Sequence, residues 1–141
     1  LIGWAAVTNS LSVTAWSFFL VIFFWTPPHF WALAIKYKDD YAAAHIPMLP
    51  VVASKSHLLR QMWVYTIAMI ASSVALFINA DLQLWAQAAN VILGVVFALQ
   101  LRGLDESSEN YEKAAGKIFH WSISYLSLLS LLLVAAQLLK A

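Results

Sequence analysis

The sequence predicts an all-α, polytopic bundle of transmembrane helices. Of its 141 residues 62% are hydrophobic and 11% are charged, whereas a typical soluble domain carries roughly 25% charged residues. So few charges cannot cover an apolar core with polar surface. Backbone groups in lipid must bond within their own segment, so the long uncharged stretches should be helices. A net charge of +1 without a basic run argues against a nucleic-acid partner, and the absence of cysteine excludes disulfides and thiolate chemistry.

Four apolar segments are each close to the roughly 20 residues that a helix needs to cross the hydrocarbon of a bilayer. They cover residues 13–35, 58–78, 84–101 and 118–139. Residues 1–7 are expected to be the end of an earlier helix. Because the chain lacks a starting Met and a basic leader region, we expect it to be the interior of a longer protein rather than its beginning.

The cationic residues predict how the spans are oriented. All but Lys140 flank two connections, the one between the first and second spans and the one between the third and fourth; they are Lys36, Lys38, Lys55, Arg60, Arg102, Lys113 and Lys117. The positive-inside rule predicts that both connections, residues 36–60 and 102–117, are cytoplasmic. A bacterial inner membrane is the expected location. The acidic segment 105–113 within the second connection is either a solvated linker or a lid over a site.

Small residues recur at helical spacing on the last two spans. The third span carries Ala86, Asn90, Gly94 and Ala98, and the fourth carries Ser124, Ser127 and Ser130. Such residues allow helix backbones to approach closely in membranes. They favour a packed bundle over separate lipid-facing helices.

Two prolines and a histidine mark the end of the first span. Pro27 and Pro28 should kink the helix and free two backbone carbonyls, which need partners from protein or from a wet cavity. His29 precedes Lys36 by seven residues, which places it roughly 10 Å below the interface. Ionisable groups at this depth face a bundle interior or a cavity. His29 is therefore either a hydrogen-bonded packing residue or a substrate contact.

A stripe of functional groups is expected if the helix continues past Pro28. His29, Leu33, Lys36 and Asp40 would then share one face. The stripe leads from a buried imidazole to a carboxylate at the rim of the membrane. This gradient suits an amphiphilic substrate with its charged head at the interface.

Adjacent carboxylates lie beside cationic residues at the same rim. Asp39 and Asp40, with water and phosphate oxygens, would suit Mg²⁺. The cationic cluster of Lys36, Lys38, Lys55 and Arg60 would bind a polyanion. The pair is either a solvated helix end or half of a magnesium–diphosphate site.

Several stretches resemble one family. Residues 25–34 read WTPPHFWALA, residues 39–41 read DDY and residues 46–51 read IPMLPV. Residues 3–8 (GWAAVT) and 119–126 (FHWSISYL) extend the similarity. Together they resemble the protoheme IX farnesyltransferases, of the UbiA-type superfamily of intramembrane prenyltransferases, which are all-helical with about nine spans in lipid. One departure is His45, where the family usually has a glycine that would suit a left-handed turn.

The resemblance implies that a farnesyl group passes from farnesyl diphosphate to a vinyl group of protoheme IX. Water adds as well, diphosphate leaves, and the product is heme O for terminal oxidases. It also implies Mg²⁺ held by two aspartate motifs, of which Asp39 and Asp40 match the second; the sequence has no match to the first. The candidate metal ligands are Asp39 and Asp40, the candidate catalytic residues are these two with Lys36, and the candidate substrate contacts are His29, Lys38, Tyr41 and Arg60. Asp40→Asn is expected to be more harmful than Asp39→Asn.

The chain is accordingly expected to be the C-terminal half of such an enzyme, inactive alone. It should expose the Asn90–Gly94–Ala98 stripe and the Pro27–Pro28 kink to the helices of the other half. Heme A synthase or the oxidase assembly machinery are further expected partners. Three alternatives remain open: another UbiA-type prenyltransferase, a non-catalytic heme-binding or assembly protein with His29 or His120 as the axial ligand, and a transporter fragment.

Overall fold

A computed structural model describes residues 1–104 and 110–140. Within these ranges the chain is all-α, without strands. The helices are α1 (Ile2–Thr8), α2 (Val13–Lys36), α3 (Lys38–Ala43), α4 (Leu49–Val52), α5 (Lys55–Asn79), α6 (Leu84–Arg102) and α7 (Tyr111–Leu138). Most of the acidic segment 105–113, and with it the question of a lid, lies outside the described residues.

Four of the described helices, α2, α5, α6 and α7, are long and apolar enough to cross a membrane. They confirm the four predicted spans, but two begin earlier than predicted. α5 starts at Lys55 because the Ser54 hydroxyl accepts the backbone N–H of His57 and caps the helix. α7 starts at Tyr111. Hydropathy marks only the section of a helix inside hydrocarbon, whereas the backbone ladder continues into the polar interface until a cap ends it.

The four spans form a closed antiparallel bundle. α2 and α6 each pack against both α5 and α7. The connections between α2 and α5 and between α6 and α7 meet at one end, where the Lys55 ammonium lies 4.7 Å from the centre of the Tyr111 ring. At the opposite end Lys140 forms an ion pair of 2.9 Å with Asp81. The predicted shared end of the two cationic connections is thus present in the fold; we call it the polar end.

α2 passes through both prolines as a continuous helix, and Pro28 is buried. The condition for the predicted stripe is therefore met as far as Lys36. The helix ends there, because Tyr37 leaves helical geometry at φ −107° and ψ 29°. Asp40 lies on α3 instead, so the prediction that it continues the face of His29 is wrong.

The stripe of small residues on α6, which includes Asn90 and Gly94, packs inside the bundle. Asn90 is 1% exposed and Gly94 is buried. A Cβ on Gly94 would lie 3.0 Å from a side-chain carbon of Ile70 on α5, so the two helices approach closely there, as the small-residue spacing predicts. The expectation that this stripe and the proline kink are exposed to missing helices is wrong. Asn90, Gly94 and Pro28 are instead buried within the bundle, although the side-chain amide of Asn90 has no hydrogen-bond partner among the described residues.

The serine stripe of α7 does not mediate helix packing within this bundle. Ser124 and Ser127 are exposed, and Ser130 is only partly buried. The hydroxyls of Ser124 and Ser130 donate to carbonyls one turn back in their own helix. Because serine can satisfy its hydroxyl in this way, it does not need a neighbouring helix. The buried serine of this region is Ser122.

His45 ends α3 in the left-handed conformation, at φ 55°. The N–H of His45 donates to the Ala42 carbonyl, and the N–H of Ile46 donates to the Tyr41 carbonyl at 2.9 Å. These two bonds form a Schellman turn, with His45 at the position where glycine is favoured. The predicted left-handed turn is confirmed.

His45→Gly is expected to raise the stability of the purified protein by about 1 kcal/mol, because glycine carries no steric penalty at positive φ. Thermal unfolding in detergent measures the change. Ala44→Gly is the matched control, since Ala44 has φ −82° and no strain to release; it should lower stability. A loss of stability in His45→Gly would show that contacts of the imidazole stabilise the protein by more than the steric penalty of the positive φ destabilises it.

Candidate functional site

A cavity of about 160 Å³ lies at the polar end of the bundle, between the ends of α2, α5 and α7. Two buried side chains, Ile35 and Leu58, contribute apolar surface to it. The remaining lining residues are Lys36, Lys38, Asp39, Pro50, Ala53, Lys55, Tyr111 and Glu112. The connection between α2 and α5 thus contributes most of the site, and the first turn of α7 completes it.

Among the described residues, three lysines and two acidic residues line this cavity. Lys36 comes from the last turn of α2, Lys38 from the first turn of α3 and Lys55 from the start of α5. The carboxylates are those of Asp39 and Glu112. Three cations around a small cavity suit a ligand with several negative charges, and the carboxylates would bind a cation carried with it.

The predicted site residues divide into two groups. The cavity brings together Lys36, Lys38 and Asp39. Arg60 does not line it; its guanidinium lies 3.2 Å from Nδ1 of His57. Asp40 and Tyr41 do not line it either, and the Tyr41 carbonyl accepts a bond of the turn after α3.

The acidic residues of the cavity could hold a metal ion only together with oxygen ligands from a bound substrate and water. In the described part of the chain no three His, Cys, Asp or Glu residues come together as a metal cage. Mg²⁺, however, is often held by one or two carboxylates while phosphate oxygens and water complete its octahedron. Asp39, with Glu112 across the cavity, fits that role. The residues therefore fit a metal shared with a phosphate-bearing ligand.

His29 lies deeper in α2 and is held by α7. Its imidazole is stacked between the rings of Trp25 and Phe119, with ring centres 4.3 and 4.8 Å away. Nδ1 lies 2.6 Å from the Ser122 hydroxyl, and Trp25 Nε1 donates to the Ser122 carbonyl at 2.9 Å. Ser122 thereby fixes both rings.

The Ser122 hydroxyl lies 2.6 Å from both Nδ1 of His29 and the Phe119 carbonyl. It has one hydrogen to donate. When that hydrogen goes to the carbonyl, the hydroxyl accepts Nδ1–H, and Nε2 of a neutral imidazole keeps its lone pair. A neutral imidazole in this form can bind a metal ion or accept a hydrogen bond.

His29 also lines a groove of about 480 Å³ along the seam of α2 and α7. The other residues that line it are Trp25, Phe119, Ile123, Leu126, Ser127 and Ser130. The groove is mainly apolar and within the membrane-spanning section. It offers an apolar ligand one nitrogen lone pair.

Sequence reasoning left several of these residues out of the site. Lys55 was noted only as part of a cationic cluster, while Tyr111, Glu112 and Ser122 were not singled out. Ser122 lies within the motif of residues 119–126, which was a usable signal. Tyr111 and Glu112 lie far from Asp39 in the chain, and no local pattern indicates that the start of α7 meets the end of α2.

Comparisons with known proteins agree on one family. The sequence model of the UbiA prenyltransferase family matches residues 1–123. The chain is 46% identical over 140 residues to "Protoheme IX farnesyltransferase" of Parafrankia sp., which covers 99% of this chain and 45% of that protein. The proteins of the same name from Nostoc sp. (43% identical; 98% of this chain, 43% of the relative) and Synechocystis sp. (42%; 98% and 44%) are similarly related. The chain therefore spans a little under half the length of these relatives. No solved structure matches it.

Proposed function

Because the chain belongs to the UbiA prenyltransferase family, we propose that it forms the C-terminal half of a protoheme IX farnesyltransferase, which transfers a farnesyl group from farnesyl diphosphate to protoheme IX to give heme O. The observation that carries this proposal is the arrangement along α2. At its polar end Lys36 borders a cavity with charges for a metal–diphosphate group. About 10 Å deeper, on the same helix, His29 faces an apolar groove. A substrate with a diphosphate head and an isoprenoid body matches this order.

The residues of this chain have separate tasks in the proposed reaction. Lys36, Lys38 and Lys55 bind diphosphate oxygens, and Asp39, with Glu112 across the cavity, would hold Mg²⁺. When bound, the metal would neutralise the leaving diphosphate as its bond to the allylic carbon breaks. The apolar walls at Ile35 and Leu58 exclude water from that bond.

His29 is assigned to the porphyrin rather than to the diphosphate. A new carbon–carbon bond joins the farnesyl carbon to the heme vinyl group, and water supplies the hydroxyl of the product. This requires the porphyrin to be held below the diphosphate, at the depth of the groove. The lone pair of Nε2 suits heme iron, and the stacked rings of Trp25 and Phe119 keep the imidazole fixed.

A heme-binding protein without chemistry is the second candidate, since the fixed imidazole alone favours it. The lysines of the cavity could bind heme propionates in such a protein, but Asp39 and Glu112 would have no role beside these anions. The two candidates differ in one measurable product. The full-length protein should convert protoheme IX and farnesyl diphosphate to heme O with Mg²⁺ and release diphosphate.

The same assay on residues 1–141 alone should give no heme O. The reason is that this sequence carries only one aspartate motif, and its described residues form no complete metal cage. Restoration of activity by co-expressed N-terminal helices would support the division into halves, since membrane helices can associate after insertion. Heme O made by the isolated chain would contradict the two-motif account. Heme binding by the full-length protein without diphosphate release would favour the second candidate.

We further propose that the polar end is cytoplasmic, in a bacterial inner membrane, because it carries all but one of the cationic residues. In a background without other cysteines, Ser56→Cys at the polar end and Asp81→Cys at the opposite end should be labelled by an impermeant reagent from opposite sides. Asp81 suits this test because its side chain is 94% exposed. Ser107→Cys, which lies outside the described residues, should behave like Ser56→Cys. Labelling of Ser56→Cys from the periplasmic side would overturn the orientation.

A further inference from the structure

A second charged groove lies on the outer face of the bundle, between α6 and α7. It has a volume of about 500 Å³ and is separate from the cavity that contains Asp39. The lining residues are Gln100, Lys113, Gly116, Lys117, His120, Trp121 and Ser124. No carboxylate is among these described residues. The proposed reaction gives this groove no task.

Its charged side chains form one stripe on α7. Lys113, Lys117, His120 and Ser124 follow each other at intervals of four, three and four residues, so they share a helix face. All four are exposed. Glu112, which precedes Lys113, lines the other cavity instead and does not neutralise the stripe there. The ion pair of Lys140 with Asp81 lies at the other end of the bundle and does not involve the stripe.

The surface of the groove is open at Gly116. A Cβ placed on this glycine would meet nothing within 4 Å, so the helix surface is open there. The Gly116 carbonyl accepts Nδ1–H of His120 at 2.7 Å, which orients the imidazole and leaves Nε2 available. Trp121 adds an indole, a ring that favours the interfacial region of a bilayer.

We propose that this groove binds the phosphate headgroup of an anionic phospholipid. The stripe spans twelve residues, about 16 Å along the helix axis. It therefore leads from the polar end, where headgroups lie, into the hydrocarbon. Basic pockets between helices at this level are suited to acidic headgroups. Another helix would fit only if it brought carboxylates to the two ammonium groups that it buried.

The test compares anionic and zwitterionic lipid on the full-length protein. In nanodiscs of phosphatidylcholine containing a minor fraction of phosphatidylglycerol, native mass spectrometry should show phosphatidylglycerol retained on the protein. Lys113→Gln with Lys117→Gln should reduce its relative affinity by about 5-fold for each cation removed. Lys113→Arg with Lys117→Arg should retain it. Gly116→Leu should weaken binding without changing any charge, since it fills the groove.

Lys140→Gln is the matched control, because it removes a lysine at the opposite end whose charge is already paired. Equal loss of phosphatidylglycerol in this control would show that general surface charge, not the groove, is responsible, and would overturn the proposal. Unchanged retention in the double Gln variant would overturn it as well. Displacement of the lipid by millimolar inorganic phosphate would assign the groove to a soluble anion instead of a lipid.

Discussion

Asp39→Asn in the full-length protein is expected to slow farnesyl transfer about 10²–10³-fold, the loss typical of one electrostatic contact to a transition state. Asp39 lines the cavity together with three lysines, whereas Asp40 lies beside it on α3 without lining it. The diphosphate gains its charge when the allylic bond breaks, so a metal held by Asp39 acts on that step. The loss should appear in kcat more than in KM.

Asp40→Asn should have a smaller effect than Asp39→Asn, which reverses the order that the sequence suggested. Asp81→Asn is the matched control, because Asp81 lies at the opposite end and Asn readily adopts its positive φ of 50°. It should leave the rate unchanged. Heme O formation over a range of Mg²⁺ concentrations measures all three variants. Wild-type turnover by Asp39→Asn at saturating Mg²⁺ would remove Asp39 from the site.

The end of α2 at Tyr37 shows which part of the stripe the sequence could predict. The motif indicated the residue types and the end of the bundle, because charge and hydropathy locate the membrane interface. Helical periodicity was then extended from His29 to Asp40 across Tyr37, where the helix in fact ends. A one-residue break in a helix changes the direction in which all later side chains point. Tyr37 is neither proline nor glycine, so its residue type does not predict a break.

The spans themselves were predictable because composition alone determines them. A stretch of about 20 uncharged apolar residues has few stable forms other than a membrane helix. Which face of each helix packs inward was harder to predict. Gly94 faces Ile70, as its small size suggests. In contrast, the hydroxyls of Ser124 and Ser130 donate to carbonyls of their own helix and do not pack inside the bundle. A bond to the helix's own backbone does not decide the face, since the buried Ser122 makes one as well.

The pairing of α2 with α7 was also beyond local patterns. Ser122 meets His29 from 93 residues away, and Glu112 reaches the cavity of Asp39 from the start of α7. No periodic pattern or residue spacing in the sequence predicts either contact. Only the closed order of the four helices brings them together.

That long-range contact supports the last prediction, that His29 and Ser122 act together on heme. His29→Ala should weaken heme affinity more than farnesyl diphosphate affinity, because His29 lies about 10 Å below the cationic cavity. Ser122→Ala should weaken heme binding about 10–100-fold, the usual effect of losing a group that orients a ligand. Without the hydroxyl, nothing fixes the proton on Nδ1, and the ring can present either nitrogen.

Absorbance titration with heme and equilibrium binding of farnesyl diphosphate measure the two affinities separately. Ser124→Ala is the matched control, because Ser124 is exposed and bonds only to its own helix; it should change neither. Repeating the titration with metal-free protoporphyrin distinguishes iron ligation from ring packing, since a ligand of iron matters only when iron is present. If His29→Ala reduced farnesyl diphosphate affinity more than heme affinity, the imidazole would belong to the isoprenoid instead. Equal losses for both porphyrins would keep His29 in the heme site as a packing residue, with Nε2 not bound to iron.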